Sequence, residues 1–181
     1  MAGSRLVVIS GPSGVGKTTV CDRLFARKGF ERVVTATTRD PRPGERPGKD
    51  YVFLAEKEFE AWASQGRFLE WANVHGHRYG TPRASVEEIV KRGHHALLNI
   101  DVQGAASVRA TGFPCVLVFL LPPTWEELER RLRGRGTDPE EEIARRLAGA
   151  KAELLRQDDF DLKVTNDDPD RAAEEIARAV G

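Results

Sequence analysis

The sequence predicts an α/β fold with a parallel β-sheet core covered by helices on both faces. Three observations carry this. Short apolar, β-branched runs recur along the 181 residues, and helical patterns alternate with them. The runs "RLVVIS", "HALLNID" and "PCVLVFLL" are continuously apolar, as strands buried on both faces must be. Finally, the alternation breaks over residues 36–82, which read as an inserted β-rich lobe. Residues 125–155 read as a helical lid arm, leaving a core of 1–35, 83–124 and 156–181 within a single domain.

The first strand is expected at Arg5 to Ser10, and a helix from Lys17 to about Lys28, ended by Gly29. "RVVTATT", Arg32 to Thr38, reads as one strand and "DYVFL" as another. "EKEFEAWASQG" is a short helix with Phe59 and Trp62 inward and Gly66 as its stop. "FLEWANVHGHRYG" is extended, and helix resumes at about Arg83–Arg92. Two further strands follow, one ending at Asp101 and one over "PCVLVFLL". Thr124 and Glu127 form a capping box for "WEELERRLRG". Asp138, with Pro139 at the first helical position, starts "EEEIARRLAGAKAELLRQ". "FDLKVTN" is the last strand, and Asp168-Pro169 opens a C-terminal helix.

Composition narrows the function classes. Lysine plus arginine equals aspartate plus glutamate at 28 each, so no broad nucleic-acid or membrane footprint is indicated. No apolar run is long enough to span a membrane and no signal-peptide pattern precedes the first strand. Cys21 and Cys115 have no ligand-like spacing and are expected to be reduced thiols of a cytoplasmic protein. His75, His77, His94 and His95 read as loop histidines rather than metal ligands.

Gly11 to Thr18, "GPSGVGKT", satisfies G-x-x-x-x-G-K-[ST] between a strand and a helix, which makes the fold P-loop NTPase-type. The glycines let the backbone curl so that several N–H groups converge on one phosphate chain, at the positive end of the following helix. Lys17 can reach the β- and γ-phosphates, and the Thr18 hydroxyl can ligate Mg²⁺. Asp101 ends a buried strand, where ligands of open α/β sheets bind. It can hold the metal through water, bind a substrate hydroxyl or amine, or simply cap a helix.

Two groups of arginines suggest a phosphoryl acceptor. Arg39, Arg42 and Arg46 lie in "TTRDPRPGERPGKDY", where prolines stiffen the backbone and guanidinium forks suit phosphate oxygens. Arg131, Arg135, Arg145 and Arg146, with Arg130 and Arg133, lie on the lid arm. Some are expected to pair with the arm's glutamates, and others to stabilise a migrating phosphoryl group.

At this point the chain resembles the guanylate kinases. The motifs "ISGPSGVGKTT", "TTRDPRPGE", "GKDYVF", "FLEWA", "YGTP", "NIDVQG", "RLRGRGTDPEEEIARRL" and "VTNDD" occur in the family's order and span nearly the whole chain. The resemblance implies transfer of the γ-phosphoryl group of Mg-ATP to GMP or dGMP, by a monomer, with a homo-oligomer left open. It makes 36–82 the GMP-binding lobe. Gly11, Pro12, Ser13, Gly14, Val15, Gly16, Lys17, Thr18 and Thr19 would seat ATP, with Asn166 near the adenine. Arg39, Arg42, Tyr51 and Tyr79 would hold the GMP phosphate. Glu70, Thr81 and Asp101 would read guanine, with Thr35 near O6, and Gly80 would also bind GMP. Lys17, Arg42, Arg135 and Arg146, joined by Arg131, would act in catalysis. A carboxylate at Glu70 also makes chemical sense, because guanine presents two adjacent donors, N1–H and the N2 amino group, where adenine presents an acceptor at N1. Departures from the family's usual pattern are Thr35-Ala36, Thr19, Arg78 in "GHRYG", and Asn99 where an aspartate is common.

Overall fold

The computed structural model describes residues 3–74, 76–134 and 139–181. Strands β1 (Leu6–Ser10), β2 (Phe30–Arg32), β7 (His95–Asn99), β8 (Cys115–Leu121) and β9 (Leu162–Thr165) form one parallel sheet, in the order β2-β7-β1-β8-β9. All five residues of β1 are fully buried, because the sheet is covered on both faces. Val7 and Ile9 pack with Val20, Leu24 and Ile176, from helices α1 (Lys17–Phe25) and α7 (Pro169–Val180). Leu6 and Val8 pack on the other face with Val86, Ile89, Ala105 and Val108, from α3 (Arg83–Lys91) and α4 (Val102–Ala110).

A second sheet lies within residues 36–82. Strands β3 (Ala36–Thr37), β4 (Val52–Phe53), β5 (Phe68–Val74) and β6 (His77–Pro82) run in the order β4-β3-β6-β5. Its own small core is Ala36, Leu54, Phe59 and Phe68, closed by α2 (Glu56–Ser64). Gly80 has no room for a Cβ, which would lie 2.9 Å from the Phe68 ring. Helices α5 (Trp125–Arg133) and α6 (Glu140–Leu154) lie beyond β8.

Several elements differ from the sequence reading. "RVVTATT" is not one strand. Its first residue closes β2, Val33 N–H still bonds to Leu97 O, and Ala36–Thr37 then joins the other sheet. Strand propensity is high throughout this run, and only tertiary pairing decides which sheet each part joins. The "DYVFL" strand shrinks to Val52–Phe53, and α1 ends at Phe25, three residues before Lys28. Helix α4 was not expected. Its sequence VQGAASVRA has little amphipathic contrast, and its start is fixed by Asp101, whose Oδ1 accepts the Gly104 N–H at 2.7 Å. Thr124 Oγ1 accepts the Glu127 N–H, but the Glu127 carboxylate turns to Arg130 and Arg131, so only half of the capping box forms. Pro139 is the N-cap of α6, one position before the first helical residue, and Asp138 lies outside the described residues. Asp168 caps α7 through the N–H groups of Asp170 and Arg171.

Candidate active site

The strand order reverses at β1, which has β7 on one side and β8 on the other. Open α/β sheets bind ligands at the carboxyl ends of strands beside such a reversal. The loop after β1 and Asp101 after β7 both sit there.

The loop is built by its glycines. Gly11, Gly14 and Gly16 have φ of 140°, 84° and 98°, which L side chains rarely adopt. A Cβ at Gly16 would also lie 2.5 Å from the Asn166 side-chain nitrogen. That nitrogen donates to Val15 O at 2.8 Å, and Arg131 Nη1 donates to the same carbonyl at 3.1 Å. Arg131 also reaches Asn166 O and the Glu127 carboxylate, so it ties α5 to the loop and to the 166 turn. Asn166 Oδ1 is buried with no hydrogen-bond partner among the described residues. Lys17 curls back over the loop and donates to Gly11 O and Pro12 O. Burial lowers its pKa, opposed first by Glu153. Thr18 stands next to it at the opening of α1, and Thr19 follows exposed on the helix.

The lid arginines divide. Arg130 pairs with Glu127, Arg133 with Glu129 and Glu140, and Arg145 with Glu142, all on the surface. Arg146 instead turns inward, and its Nη2 donates to Ser13 Oγ at 3.1 Å. Arg135 lies outside the described residues.

On the second sheet, Glu70 faces Thr81 across the β5–β6 hairpin, and the Thr81 hydroxyl donates to Glu70 Oε1. Burial raises the Glu70 carboxyl pKa to about 6, the Thr81 hydrogen bond opposes this, and Asp101 adds to it. Glu70 lines a cavity of about 200 Å³ with Thr35, Tyr51, Tyr79, Gly80, Asn99 and Asp101. A larger cleft of about 720 Å³, lined by Ser13, Val74, Asp101, Arg146 and Glu153, shares Val74 and Asp101 with it. Asp101 therefore borders both the Glu70 cavity and the cleft that Ser13 of the loop after β1 lines. Arg39 stands over the Tyr51 ring at 5.5 Å and its Nη2 grips both oxygens of Glu45, at 2.8 and 2.9 Å. Glu45 also accepts the Arg42 N–H.

Residues 3–181 match the family model described as guanylate kinase. The chain belongs to the guanylate kinase family. The guanylate kinase of Rubrobacter xylanophilus is 48% identical over 177 residues, 97% of this chain and 93% of that protein. The guanylate kinase of Caldanaerobacter subterraneus subsp. tengcongensis is 45% identical over 172 residues, 94% of this chain and 84% of that one. The crystal structure of guanylate kinase from Anaplasma phagocytophilum superimposes with a TM-score of 0.76 at 32% identity, covering 99% of this chain and 86% of that one. As a guanylate kinase the chain is an enzyme, a nucleotide-binding kinase carrying out ATP:GMP phosphotransfer.

Within this guanylate kinase, some departures from the family pattern have a visible place. Arg78 points away from the cavity and pairs with Glu56 and Glu60 of α2, at 3.4 and 3.1 Å. Asn99 lines the Glu70 cavity and also an adjoining one that Thr18 and Thr35 line. Glu153 is a residue of the cleft that sequence reasoning missed. Its signal was a lone acid among the apolar positions of α6, two turns after Arg146. Among the described residues, no group of three or more His, Cys, Asp or Glu is placed to hold a metal, and no helix is long and apolar enough to cross a membrane. His94 meets Glu31, and His75 lies outside the described residues.

Proposed function

We propose that this chain transfers the γ-phosphoryl group of Mg-ATP to GMP and dGMP, using residues 11–19 as donor seat, 36–82 as acceptor lobe and 125–155 as lid. The observation that carries the assignment is the Thr81 hydrogen bond to Glu70, whose carboxylate lines a cavity that shares Asp101 with the cleft lined by Ser13 and Arg146. A carboxylate there accepts guanine N1–H and N2–H, and the Thr81 hydroxyl holds its orientation. Asp101, Thr35 and Gly80 complete the base pocket. The base read in this way is the same in GMP and dGMP, which makes dGMP a second acceptor in this reading.

Arg39, Arg42, Tyr51 and Tyr79 fix the acceptor phosphate in this reading. That phosphate is already anionic, so no general base is needed, and catalysis is positioning plus charge stabilisation. Lys17, Arg135 and Arg146 neutralise charge on the migrating group. Arg131, pinned to the carbonyls of Val15 and Asn166, holds the donor loop in shape. Asn166, whose buried Oδ1 has no hydrogen-bond partner among the described residues, lies on the loop near the adenine in this reading. Closure of the lid over the cleft would exclude water. Thr18 and Asp101 offer hard oxygen donors, which suits an ion that takes its remaining ligands from phosphate and water. Thr18 would bind Mg²⁺ directly and Asp101 through water, and the ion would neutralise charge on the β- and γ-phosphates. The enzyme would act as a monomer in purine nucleotide metabolism and GMP recycling. The unpaired cysteines Cys21 and Cys115 support a cytoplasmic location.

The test is ADP release from Mg-ATP with GMP, dGMP, AMP, CMP, UMP or no acceptor. Turnover with GMP and dGMP alone is expected. Equal turnover with AMP would remove Glu70 and Thr81 from base reading, and ADP release without acceptor would undo the acceptor lobe.

A further inference from the structure

Helix α6 grips Ser13 of the phosphate-binding loop at two points. Glu153 Oε2 accepts the Ser13 N–H at 3.2 Å, and Arg146 Nη2 donates to Ser13 Oγ at 3.1 Å. Residues seven apart lie on one helix face, and this face borders the cleft. Glu153 is also in electrostatic reach of Lys17. Burial raises the Glu153 pKa, and Lys17 is the first charge that opposes this rise. A carboxylate that accepts a loop N–H beside the loop lysine has the surroundings of a bound phosphate oxygen.

We propose that Glu153 is a positioning residue of the donor seat, the resting counter-anion that holds the Ser13 N–H and balances Lys17 until the phosphates of ATP replace it. This rests on reading residues 11–18 as the ATP seat. Two anions in one such seat repel each other, so the arriving triphosphate and the Glu153 carboxylate exclude one another. Arg146, on the same face, is attracted to the same triphosphate. The helix therefore exchanges an anionic hold on the loop for a cationic hold on the nucleotide. In the free enzyme, Glu153 keeps the Ser13 N–H satisfied, so the loop keeps its shape with no ligand present.

Glu153→Gln and Glu153→Ala test this in the full chain. Inorganic tripolyphosphate and Mg-ATP serve as probes in calorimetry, alongside steady-state kinetics and melting without ligand. Losing a competing charge-assisted hydrogen bond should tighten tripolyphosphate binding by about tenfold in Glu153→Ala. KM for ATP should fall in parallel, by more than any change in KM for GMP. Glu153→Gln, which keeps an oxygen for the Ser13 N–H but no charge, should move the same way and carries the test if the alanine variant does not fold. Equal or weaker tripolyphosphate binding by a folded variant overturns the proposal, since a merely structural support would give that. Should the unaltered chain not bind tripolyphosphate, or Lys17→Ala bind it equally well, the ATP seat itself is misassigned and this inference goes with it.

Discussion

Replacing Glu70 by glutamine removes one charge and almost no volume, and it should move stability and activity in opposite directions. In the free enzyme the Glu70 carboxyl pKa is raised by burial from its ordinary 4.5 to about 6. Between those values the folded chain holds a proton that the unfolded chain releases, so stability falls as pH rises through the window. The cost is complete above about pH 6. At 1.36 kcal/mol per pH interval, a rise of about 1.5 amounts to about 2 kcal/mol at pH 7.5. Glu70→Gln escapes this cost and still accepts the Thr81 hydroxyl. Its ligand-free melting temperature should therefore exceed that of the unaltered enzyme by roughly 4–8 °C at pH 7.5. The gain should vanish near pH 4, where both proteins are neutral at this position. Activity should go the other way. A guanine donor would face an amide N–H₂ instead of a carboxylate oxygen, at a loss of about 2–4 kcal/mol, or roughly 30- to 1,000-fold in kcat/KM for GMP. The unaltered enzyme should likewise lose kcat/KM for GMP as pH falls below about 6. Calorimetric melting at the two pH values, with GMP kinetics on the same preparations, checks both halves. A glutamine variant that melts no higher at pH 7.5, or gains equally at pH 4, refutes the desolvation argument. Unchanged GMP kinetics refute the assignment of the base.

Three other perturbations have clear outcomes. Lys17→Ala should lower turnover by at least roughly 100- to 1,000-fold while circular dichroism and melting show an intact fold. A normal rate would place the donor elsewhere. Gly16→Ala forces a side chain into φ 98° and against the Asn166 amide, so it should cost about 1–3 kcal/mol in denaturant unfolding. Arg78→Ala breaks pairs with two exposed glutamates of α2, so it should cost no more than about 1 kcal/mol and leave KM for GMP unchanged. A large rise in that KM would mean that Arg78 reaches the cavity after all.

What the sequence reveals here depends on how local the governing physics is. The turn from β1 through Gly11 to Lys17 is readable because its conformation and its chemistry sit in one short stretch. Burial of β1, β7 and β8 on both faces follows from their uninterrupted apolar composition. Where tertiary partners decide, the reading fails. Arg32 to Thr38 divides between two sheets with no break in its β-branched pattern. Helix α4 hides because glycine, alanine and serine give it no apolar stripe, although its capping aspartate was in view. The pairing of Glu70 with Thr81 depends on hairpin register, which propensity does not supply. The family motifs drew attention to both residues, but not to the hydrogen bond between them. Arginine identity alone could not separate Arg146, turned inward, from Arg145, paired on the surface beside it.

The Glu70 cavity has walls from two different bodies. Glu70, Tyr79 and Gly80 belong to the small sheet, while Asn99 and Asp101 belong to the end of β7 and the start of α4. Among the described residues, the chain crosses between the sheets around residues 33–35 and at the junction of Pro82 with Arg83. Thr35 lies on the first crossing and in the cavity wall at once. A tilt of a few degrees at these crossings works through the lever of the small sheet and changes the cavity's width more than its chemistry. Thr35 is thus common to a crossing and to the cavity wall, so altering it would bear on the tilt of the small sheet and on the width of the cavity together.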